Sequence, residues 1–334
     1  MLRSMVDVVT IGESMILFQP MTDSSIQYAP LFTKSIAGAE SNIAIGLTRL
    51  GKKVRWVSRV GDDAFGKYLL ATLAGEGVDV SQCKVLQNES TAIYFKDIKG
   101  SQDPTVYYYR KGSAASKFKR NDIQSGWFEG AHHLHVTGIT PALGENTAEM
   151  MIEAMERARE KGMTISFDPN IRRKLWSEEQ ARQTILKMIP LCDIFLPGLD
   201  ECQFLFGEKT RDEYGDILLN MGPSLTVIKL GEEGSMAITK NFSVKKDGYS
   251  VERVVDTVGA GDAFASGCLS ILLDVPNLRE ELEDPVNIRD IVGDAIGRGN
   301  RLGALAVQFK GDWEGLPTLQ ELKAMEQGKE SVSR

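Results

Sequence analysis

The sequence predicts an α/β fold in which a mostly parallel, doubly wound sheet carries helices on both faces and a small β-sheet lies beside it. Three observations predict this fold. From residue 116 onward, short β-branched runs alternate with helical patterns, which is typical of parallel sheets joined by crossover helices. Two other segments, 14–36 and 90–112, are β-rich and carry no helical pattern. The 334 residues suffice for one large domain with a small addition.

The first part of the chain predicts a buried strand followed by exposed β structure. Residues 6–12 are a β-branched run that ends in glycine, as in a buried strand. Pro20 and Pro30 interrupt 14–36, so this segment suits exposed strands and turns. The elements predicted next are a helix opened by 38–42 and stopped by Gly51, a strand over 54–60, a helix over 64–76 and a further strand after 77–79.

Residues 90–112 predict a hairpin. The runs 91–95 and 105–110 alternate and are aromatic, and 99–104 supply a turn with glycine and proline. Because neither this segment nor 14–36 contains a helix, we expect the two to form one small sheet, here called the lid. Exposed aromatic strands would be an aggregation hazard if they were left unpaired.

The remaining elements continue the alternation of strands and helices. Strands are predicted over 132–136, 163–168, 194–197, 225–229, 235–239 and 249–255, and helices over 146–161, 177–189 (capped by Ser177), 200–206, 214–221 and 262–273. The predicted division is a core of 1–13, 37–89 and 113–327, a lid of 14–36 and 90–112, and a charged tail, 328–334.

Composition limits the possible functions. Hydrophobic residues make up 42% and charged residues 25%, as in ordinary globular proteins, and the net charge of −7 argues against nonspecific nucleic-acid binding. None of the four cysteines forms a Cys-x-x-Cys pair, so neither a zinc ribbon nor a disulfide framework is indicated. His133 and His135 would share one face of a strand while His132 faces the other, which favours a structural role over zinc binding. Without a signal segment or a long apolar run, we expect a cytoplasmic protein that does not bind membranes.

The strongest chemical signal lies at 255–267. Gly259, Ala260 and Gly261, here called the anion cradle, precede Asp262 and a helical run. Small residues let backbone N–H groups approach an anion, and a helix N-terminus adds the positive end of its dipole. Asp262 could instead be an ordinary N-cap after a tight turn. That alternative leaves the small residues unexplained, whereas a phosphate site with a base beside it explains both.

Other turns are predicted along the same edge of the sheet. In doubly wound sheets, ligands bind beyond the carboxyl ends of the strands. Each of these turns alone would be unremarkable, but several along one edge favour a binding site. The turns are 12–13, 138–140, 168–170, 198 and 229–231.

Residues 256–262, Asp-Thr-Val-Gly-Ala-Gly-Asp, resemble the second signature of ribokinase-like (PfkB-type) carbohydrate kinases. Residues 38–42, Gly-Ala-Glu-Ser-Asn, are similar to the first signature of that family, and the resemblance covers about 6–325. It implies a ribokinase-like fold and transfer of the γ-phosphoryl group of ATP to a primary hydroxyl of a sugar, with Mg²⁺ as cofactor. Lids of this kind commonly pair between subunits in that family, so the resemblance also implies a homo-oligomer formed through the lid. Whether a monovalent cation is also needed stays open.

The resemblance also implies roles for individual residues. Asp262 would accept the proton of the sugar hydroxyl, and the anion cradle would stabilise the migrating phosphoryl group. Glu201 would assist magnesium indirectly, although Gly198 stands where many relatives have an asparagine. Nucleotide contacts would come from Asn170, Lys229, Gly231, Gly234, Gly259, Gly261 and Asn300.

The substrate-binding residues implied by the resemblance lie on the lid and at the rim of the sheet. They are Gly38, Asn42, Tyr94, Tyr108, Arg110, Arg172 and Asp262, and the lid and rim members resemble those of 2-keto-3-deoxygluconate kinases. Arginine pairs a carboxylate bidentately, so a sugar acid phosphorylated at its 6-hydroxyl is the expected substrate. The alternatives are a fructokinase or another neutral-sugar kinase, and a non-catalytic sugar- or nucleotide-binding regulator.

Overall fold

The computed structural model of the protein describes residues 6–22, 25–97, 105–283 and 288–327. The predicted turn at 99–104 and the predicted tail at 328–334 lie outside these ranges. The strands are β1 Val8–Ile11, β2 Met15–Pro20, β3 Phe32–Ala37, β4 Val54–Val57, β5 Arg59–Gly61, β6 Lys84–Leu86, β7 Ile93–Asp97, β8 Thr105–Tyr109, β9 His133–Thr137, β10 Thr164–Asp168, β11 Ile194–Phe195, β12 Leu225–Lys229, β13 Ser235–Ile238 and β14 Ser243–Lys246. The helices are α1 Ala39–Arg49, α2 Ala64–Gly75, α3 Glu145–Glu160, α4 Glu178–Met188, α5 Leu199–Phe206, α6 Arg211–Met221, α7 Ala260–Leu272, α8 Leu278–Glu283, α9 Arg289–Ala306 and α10 Leu319–Glu326.

Eight strands form the central sheet in the order β14-β13-β12-β11-β10-β9-β1-β4. All pairs from β4 to β12 are parallel, whereas the pairs β12–β13 and β13–β14 are antiparallel, so β13 runs against the other seven strands of this sheet. The predicted, mostly parallel sheet is therefore confirmed. Strands β4 and β9 flank β1 on opposite sides, so the order of the sheet reverses there, and its carboxyl edge is the expected place for ligands.

Helices cover both faces of the sheet because neighbouring strand residues point in opposite directions. Val8 belongs to the hydrophobic core that contains α1, α7 and α9, and Val9 to the core that contains α3 and α4. Ile194 and Phe195 divide between the same two cores. No helix among the described residues is long and apolar enough to cross a membrane.

The lid is a separate four-stranded sheet in the order β3-β2-β7-β8. Strands β2 and β7 pair in parallel and the outer pairs are antiparallel. The expectation that 14–36 and 90–112 contribute to one small sheet is thus confirmed. That the boundaries of this sheet delimit a separate domain stays a prediction.

Three predicted elements were wrong in detail. Residues 249–255 form no strand: the N–H groups of Val255 and Asp256 donate to the carbonyl oxygen of Val307 at 2.7 and 3.1 Å, since no strand lies beside them. The predicted strand 54–60 is two strands, and the second, β5, leaves the main sheet to pair with β6. The helix predicted over 262–273 begins two residues earlier, at Ala260 with Gly259 as its N-cap, and this excludes the alternative of Asp262 as an N-cap.

Candidate active site

The anion cradle lies where α7 begins at the carboxyl edge of the sheet. Gly259 has φ +82°, and a Cβ there would lie 2.2 Å from the carbonyl oxygen of Asp312, so only glycine fits. At Gly261 a Cβ would be 3.7 Å from Lys229 Nζ. The first N–H groups of a helix have no intrahelical acceptor, which suits them to an anion. The N-terminus of α7 and the ammonium group of Lys229 therefore lie close together at the anion cradle.

Asp262 lies in the first turn of α7 with its side chain buried. Its Oδ2 accepts a hydrogen bond from Asn42 Nδ2 at 2.8 Å, and its Oδ1 accepts one from Asn170 Nδ2 at 3.5 Å. Burial raises the pKa of Asp262 to about 6, against the opposing effect of the Asn42 hydrogen bond. The carboxylate is thus ionised at neutral pH and is a better base than an exposed aspartate.

Lys229, at the end of β12, is partly buried beside the cradle and pairs with Asp168 at 2.6 Å. Burial alone would lower the pKa of Lys229, but Asp168 and Glu201 outweigh it and raise the pKa. The lysine therefore stays charged next to Gly261. A fixed positive charge at this position can stabilise phosphate oxygens.

Glu201 holds two turns of the rim together. Its Oε1 accepts from the backbone N–H of Ile171 at 2.8 Å, and its Oε2 accepts from the N–H of Gly198 at 2.7 Å. Burial raises its pKa to about 7, although Lys229 acts against this. Its visible task is to position the loop that carries Asn170, and its indirect role with magnesium stays a prediction.

A cavity of about 330 Å³ opens from the cradle on the side of β12 and α9. Its walls combine glycines with apolar side chains, including Gly231, Gly234, Val251, Val254, Ala304 and Val307. Gly234 has φ +97°, and a Cβ there would meet the carbonyl oxygen of Lys246 at 2.1 Å. A flat, largely apolar group such as a purine suits these walls.

Asn300 lines the same cavity but uses its amide elsewhere. Its Nδ2 donates to the carbonyl oxygens of Lys246 and Asp247 at 3.0 and 3.1 Å. It thereby holds the cavity wall in place, and a direct contact with a nucleotide stays a prediction.

The opposite side of Asp262 faces α1 and the lid. A Cβ on Gly38 would lie 2.4 Å from the carbonyl oxygen of Glu13, so the backbones touch here. The buried Tyr94 directs its hydroxyl to Asp312 Oδ2 at 3.4 Å, and its ring lies 5.6 Å from that of Tyr108. The lid therefore supplies an aromatic wall near the base.

The two predicted carboxylate-binding arginines differ in availability. Arg110 is buried, and its Nε donates to Glu13 Oε2 at 2.7 Å, with the guanidinium also near the Tyr108 ring. Arg172 is exposed on the loop after β10, yet its charge lowers the pKa of Asp262. Arg172 is thus free to meet an incoming anion, whereas Arg110 already has a carboxylate partner.

Several residues of the site were not singled out from the sequence. Glu40 is buried, accepts from Thr137 Oγ1 and Thr140 Oγ1 at 2.8 Å, and has a pKa raised to about 7 by burial. Lys96 on the lid forms a buried ion pair with Asp256. The available signal for Lys96 was its place at a core-facing position of an otherwise apolar and aromatic strand.

The histidines behave as the sequence indicated. His133 and His135 are buried in β9 and hydrogen-bonded to Thr164 and Ser166 at 2.7 Å. Burial lowers the pKa of both rings to about 3. They are neutral members of the sheet interior.

The model of the pfkB family carbohydrate kinases matches residues 5–319 of the chain. This chain belongs to that family. It is therefore a carbohydrate kinase, as its two signatures implied.

The similar proteins of this PfkB family kinase include two sugar-acid kinases and a fructokinase. It is 42% identical to a 2-dehydro-3-deoxygluconokinase of Bacillus subtilis, over 95% of this chain and 94% of that protein. It is 32% identical to the enzyme of the same name from Thermoproteus tenax (97% and 95% covered). A fructokinase of Oryza sativa is also 32% identical (96% and 97% covered).

Solved structures confirm the ribokinase-like fold. A PfkB protein of Polaromonas has a TM-score of 0.83 at 40% identity, with 96% of this chain and 99% of that chain covered. An Escherichia coli protein in complex with ATP and Mg²⁺ has a TM-score of 0.85 at 25% identity (97% and 100% covered). A fructokinase of Vibrio cholerae with fructose, ADP and calcium has a TM-score of 0.83 at 28% identity (96% and 99% covered).

Proposed function

We propose that this carbohydrate kinase transfers the γ-phosphoryl group of ATP to the 6-hydroxyl of 2-keto-3-deoxygluconate. The observation that carries the proposal is the position of Asp262. It lies between the glycine-lined cavity on one side and Asn42 with the lid on the other. The substrate is supported by the 42% identity to a 2-dehydro-3-deoxygluconokinase, since 2-dehydro-3-deoxygluconate is another name for the same acid.

The residues around the cavity fit a nucleotide triphosphate. The apolar walls suit the base, and Gly231, with φ +60°, would meet nothing within 4 Å if a Cβ were added, so its backbone is open to phosphate oxygens. ATP supplies the phosphoryl group when bound. Lys229 and the N-terminus of α7 then hold its phosphate oxygens at the cradle.

Asp262 would act on the sugar hydroxyl. Asn42 orients the carboxylate through its 2.8 Å hydrogen bond, and Asp262 accepts the hydroxyl proton as the oxygen attacks. Phosphoryl transfer has a loose transition state, so correct positioning and charge stabilisation matter more than a strong base. A carboxyl group with a pKa of about 6 meets this requirement.

Magnesium would be held mainly by phosphate oxygens and water. The nearby carboxylates already have partners: Asp168 has Lys229, and Glu201 has two backbone N–H groups. Glu201 could reach the ion through a water molecule. This donor set fits an ion that arrives with the nucleotide.

Arg172 would bind the carboxylate of the sugar acid at the open rim. Arg110 would help to close the site through its contacts with Glu13 and Tyr108, and would bind the acid after rearrangement of that pair. Two cations near one substrate group suit an acid better than a neutral sugar.

The second candidate is a neutral-sugar kinase. It is favoured by the fructokinase relatives and by the fact that Glu13 already neutralises Arg110. A regulator without catalysis is disfavoured, because the chain belongs to a kinase family and retains Asp262 with an intact cradle.

A coupled ADP-release assay over 2-keto-3-deoxygluconate, related sugar acids, fructose and ribose tests the proposal. The acid should exceed fructose in kcat/KM by roughly two orders of magnitude, because Arg172 can form a charge-assisted pair with its carboxylate that a neutral sugar cannot form. NMR of the product should place the phosphate on O6. Preference for fructose would make the chain a fructokinase instead.

Assembly through the lid and a cytoplasmic location remain proposals. Tyr107, Tyr109, Tyr28 and Leu31 leave an apolar and aromatic surface exposed on or near the lid. A second copy that covers this surface would protect the edge of the sheet. Light scattering on wild type and on Tyr109→Asp would test this interface. Wild type should be an oligomer, and the variant should be a monomer.

A further inference from the structure

A lysine ammonium is buried beneath the lid. Lys96 lies in β7 with a fully buried side chain, although lysine is almost never fully buried unless paired. Its Nζ forms an ion pair with Asp256, whose carboxylate is also buried, with side-chain exposures of 0% and 2%. The positively charged end of this lid residue is thus buried in the interior of the protein.

Asp256 is the residue that begins the turn into the anion cradle. While Oδ2 binds Lys96, Oδ1 accepts the backbone N–H of Val258 at 3.1 Å. Val258 directly precedes Gly259, the N-cap of α7. The carboxylate that holds Lys96 therefore also sets the backbone from which the cradle starts.

A second residue of the same lid strand contacts the opposite side of the cradle. Tyr94 is two positions before Lys96, so both side chains lie on one face of β7. The Tyr94 hydroxyl donates to Asp312 Oδ2 at 3.4 Å, and the backbone carbonyl oxygen of Asp312 lies 2.2 Å from where a Cβ of Gly259 would be. One face of β7 thereby reaches both segments that flank the cradle.

The buried carboxylates beside the anion cradle need a positive charge near them. Burial raises the pKa of Asp312 to about 7; Lys96 acts against this, and Asp262 and Asp256 add to it. No hydrogen-bond donor among the described residues reaches Asp312 Oδ1, although that oxygen is buried. A phosphoryl group at the cradle would bring further negative charge to a place that already holds three carboxylates.

We infer that Lys96 is a positioning residue that serves as a built-in cation, fixing the anion cradle from the lid in place of a free monovalent cation. The inference rests on phosphoryl transfer at the cradle, as proposed above, but not on the identity of the sugar. Through Asp256, Lys96 holds the turn that aims the N-terminus of α7. It also ties formation of the phosphate site to the placement of the lid.

The test compares two variants that remove the same charge. Lys96→Ala leaves a space beside the Asp256 carboxylate, into which K⁺ or NH₄⁺ fits. Lys96→Met fills that space with an apolar chain of similar length. Turnover is measured by ADP release in tetramethylammonium buffer, with and without KCl or NH₄Cl, and the fold is checked by circular dichroism.

Wild-type turnover should not respond to K⁺ or NH₄⁺. Both variants should lose kcat by about 10²-fold, the usual effect of disturbing a preorganised oxyanion site, with little change in KM for ATP. Added K⁺ or NH₄⁺ should restore turnover in Lys96→Ala and leave Lys96→Met slow. A wild type that requires K⁺, a Lys96→Ala variant with normal kcat, or two folded variants that both ignore cations would each overturn the inference.

A double variant covers the case in which an unpaired Asp256 prevents folding. Lys96→Met with Asp256→Asn removes both buried charges and keeps an acceptor for the Val258 N–H. It should fold, bind ATP and remain slow with or without NH₄⁺. Wild-type kcat in this variant would mean that Lys96 only balances the charge of Asp256. If wild type does not turn over the sugar acid, the substrate proposal fails. The wild type and the Lys96 variants are then compared with fructose as substrate, so this inference is tested separately.

Discussion

Asn42 Nδ2 donates a 2.8 Å hydrogen bond to Asp262 Oδ2, although the two residues lie 220 positions apart in the chain. The contact joins the first turns of α1 and α7. It orients the carboxylate and lowers its pKa, while burial raises it. Asn42 therefore adjusts the basicity of the Asp262 carboxylate as well as its orientation.

Replacing Asp262 with asparagine should abolish most turnover. Asparagine keeps the shape and can still accept the Asn42 hydrogen bond, but it cannot take a proton, so kcat should fall by about 10²–10⁴-fold. ATP binding, measured by titration calorimetry, should survive. Because burial raises the pKa of Asp262, its ionised form costs stability above the folded-state pKa, so the variant should also show a higher Tm at pH 8. Near-normal turnover would remove Asp262 from the mechanism.

The pH profile of kcat/KM should have an acidic limb near pH 6. Asp262 acts as a base only when ionised, so activity is present above its raised pKa and is lost as the pH falls through about 6. Asn42→Ala removes a hydrogen bond that lowers this pKa, so its limb should move to higher pH. Measurement over pH 4.5–8 in wild type and variant checks the shift.

Thr140→Val is the control for the pH experiment. Glu40 also has a pKa raised to about 7 by burial, and Thr140 donates to it. Loss of that donor should change the titration of Glu40 but not the limb assigned to Asp262. A limb that follows Thr140→Val and ignores Asn42→Ala would assign the titration to Glu40.

Arg172→Ala should reduce the preference for the acid. Charge-assisted hydrogen bonds contribute on the order of 1.5–3 kcal/mol, so kcat/KM for 2-keto-3-deoxygluconate should fall by roughly 10–100-fold while that for fructose changes little. The neighbouring exposed Arg173 provides the matched control, and Arg173→Ala should leave both substrates unaffected. Equal loss for both substrates in Arg172→Ala would disprove the role in carboxylate binding.

Arg110→Ala should show a different pattern. It is also expected to weaken use of the acid, but it leaves the buried Glu13 without its cation and should therefore lower stability as well. Arg110→Lys should rescue only part of the activity, because an ammonium cannot form the bidentate pair. Urea unfolding measures the loss of stability and steady-state kinetics measures the loss of activity, so the two measurements together separate these effects.

Binding of the sugar acid should order the lid. If the lid closes over the substrate, hydrogen exchange in β2, β3, β7 and β8 should slow when the acid binds. Exchange in the central sheet should stay the same with and without the acid. Exchange followed by mass spectrometry, with ADP alone as control, measures this. Unchanged exchange in all four strands would mean that the small sheet does not close.

Local pattern predicted much of the fold and the place of the anion cradle at the start of α7. β-Branched runs and helical spacing correctly identified β1, β12 and α3, because the spacing of apolar residues that distinguishes strands from helices can be seen within a short stretch of sequence. Small residues before Asp262 indicated the cradle, and Gly259 does need its positive φ. The same reasoning failed at 249–255, where valines have strand propensity but the tertiary structure provides no partner strand.

By itself, the sequence determined the fold class and the family and singled out Asp262 as the candidate base, since each depends on residues close together in the chain. Only the tertiary structure decided which charged and polar groups meet. Arg110 faces Glu13, Lys96 faces Asp256, and Asn42 faces Asp262. Such pairs join segments 97, 160 and 220 positions apart. Their burial sets both the pKa of Asp262 and the availability of each arginine, and burial is a property of the packed chain rather than of any local pattern.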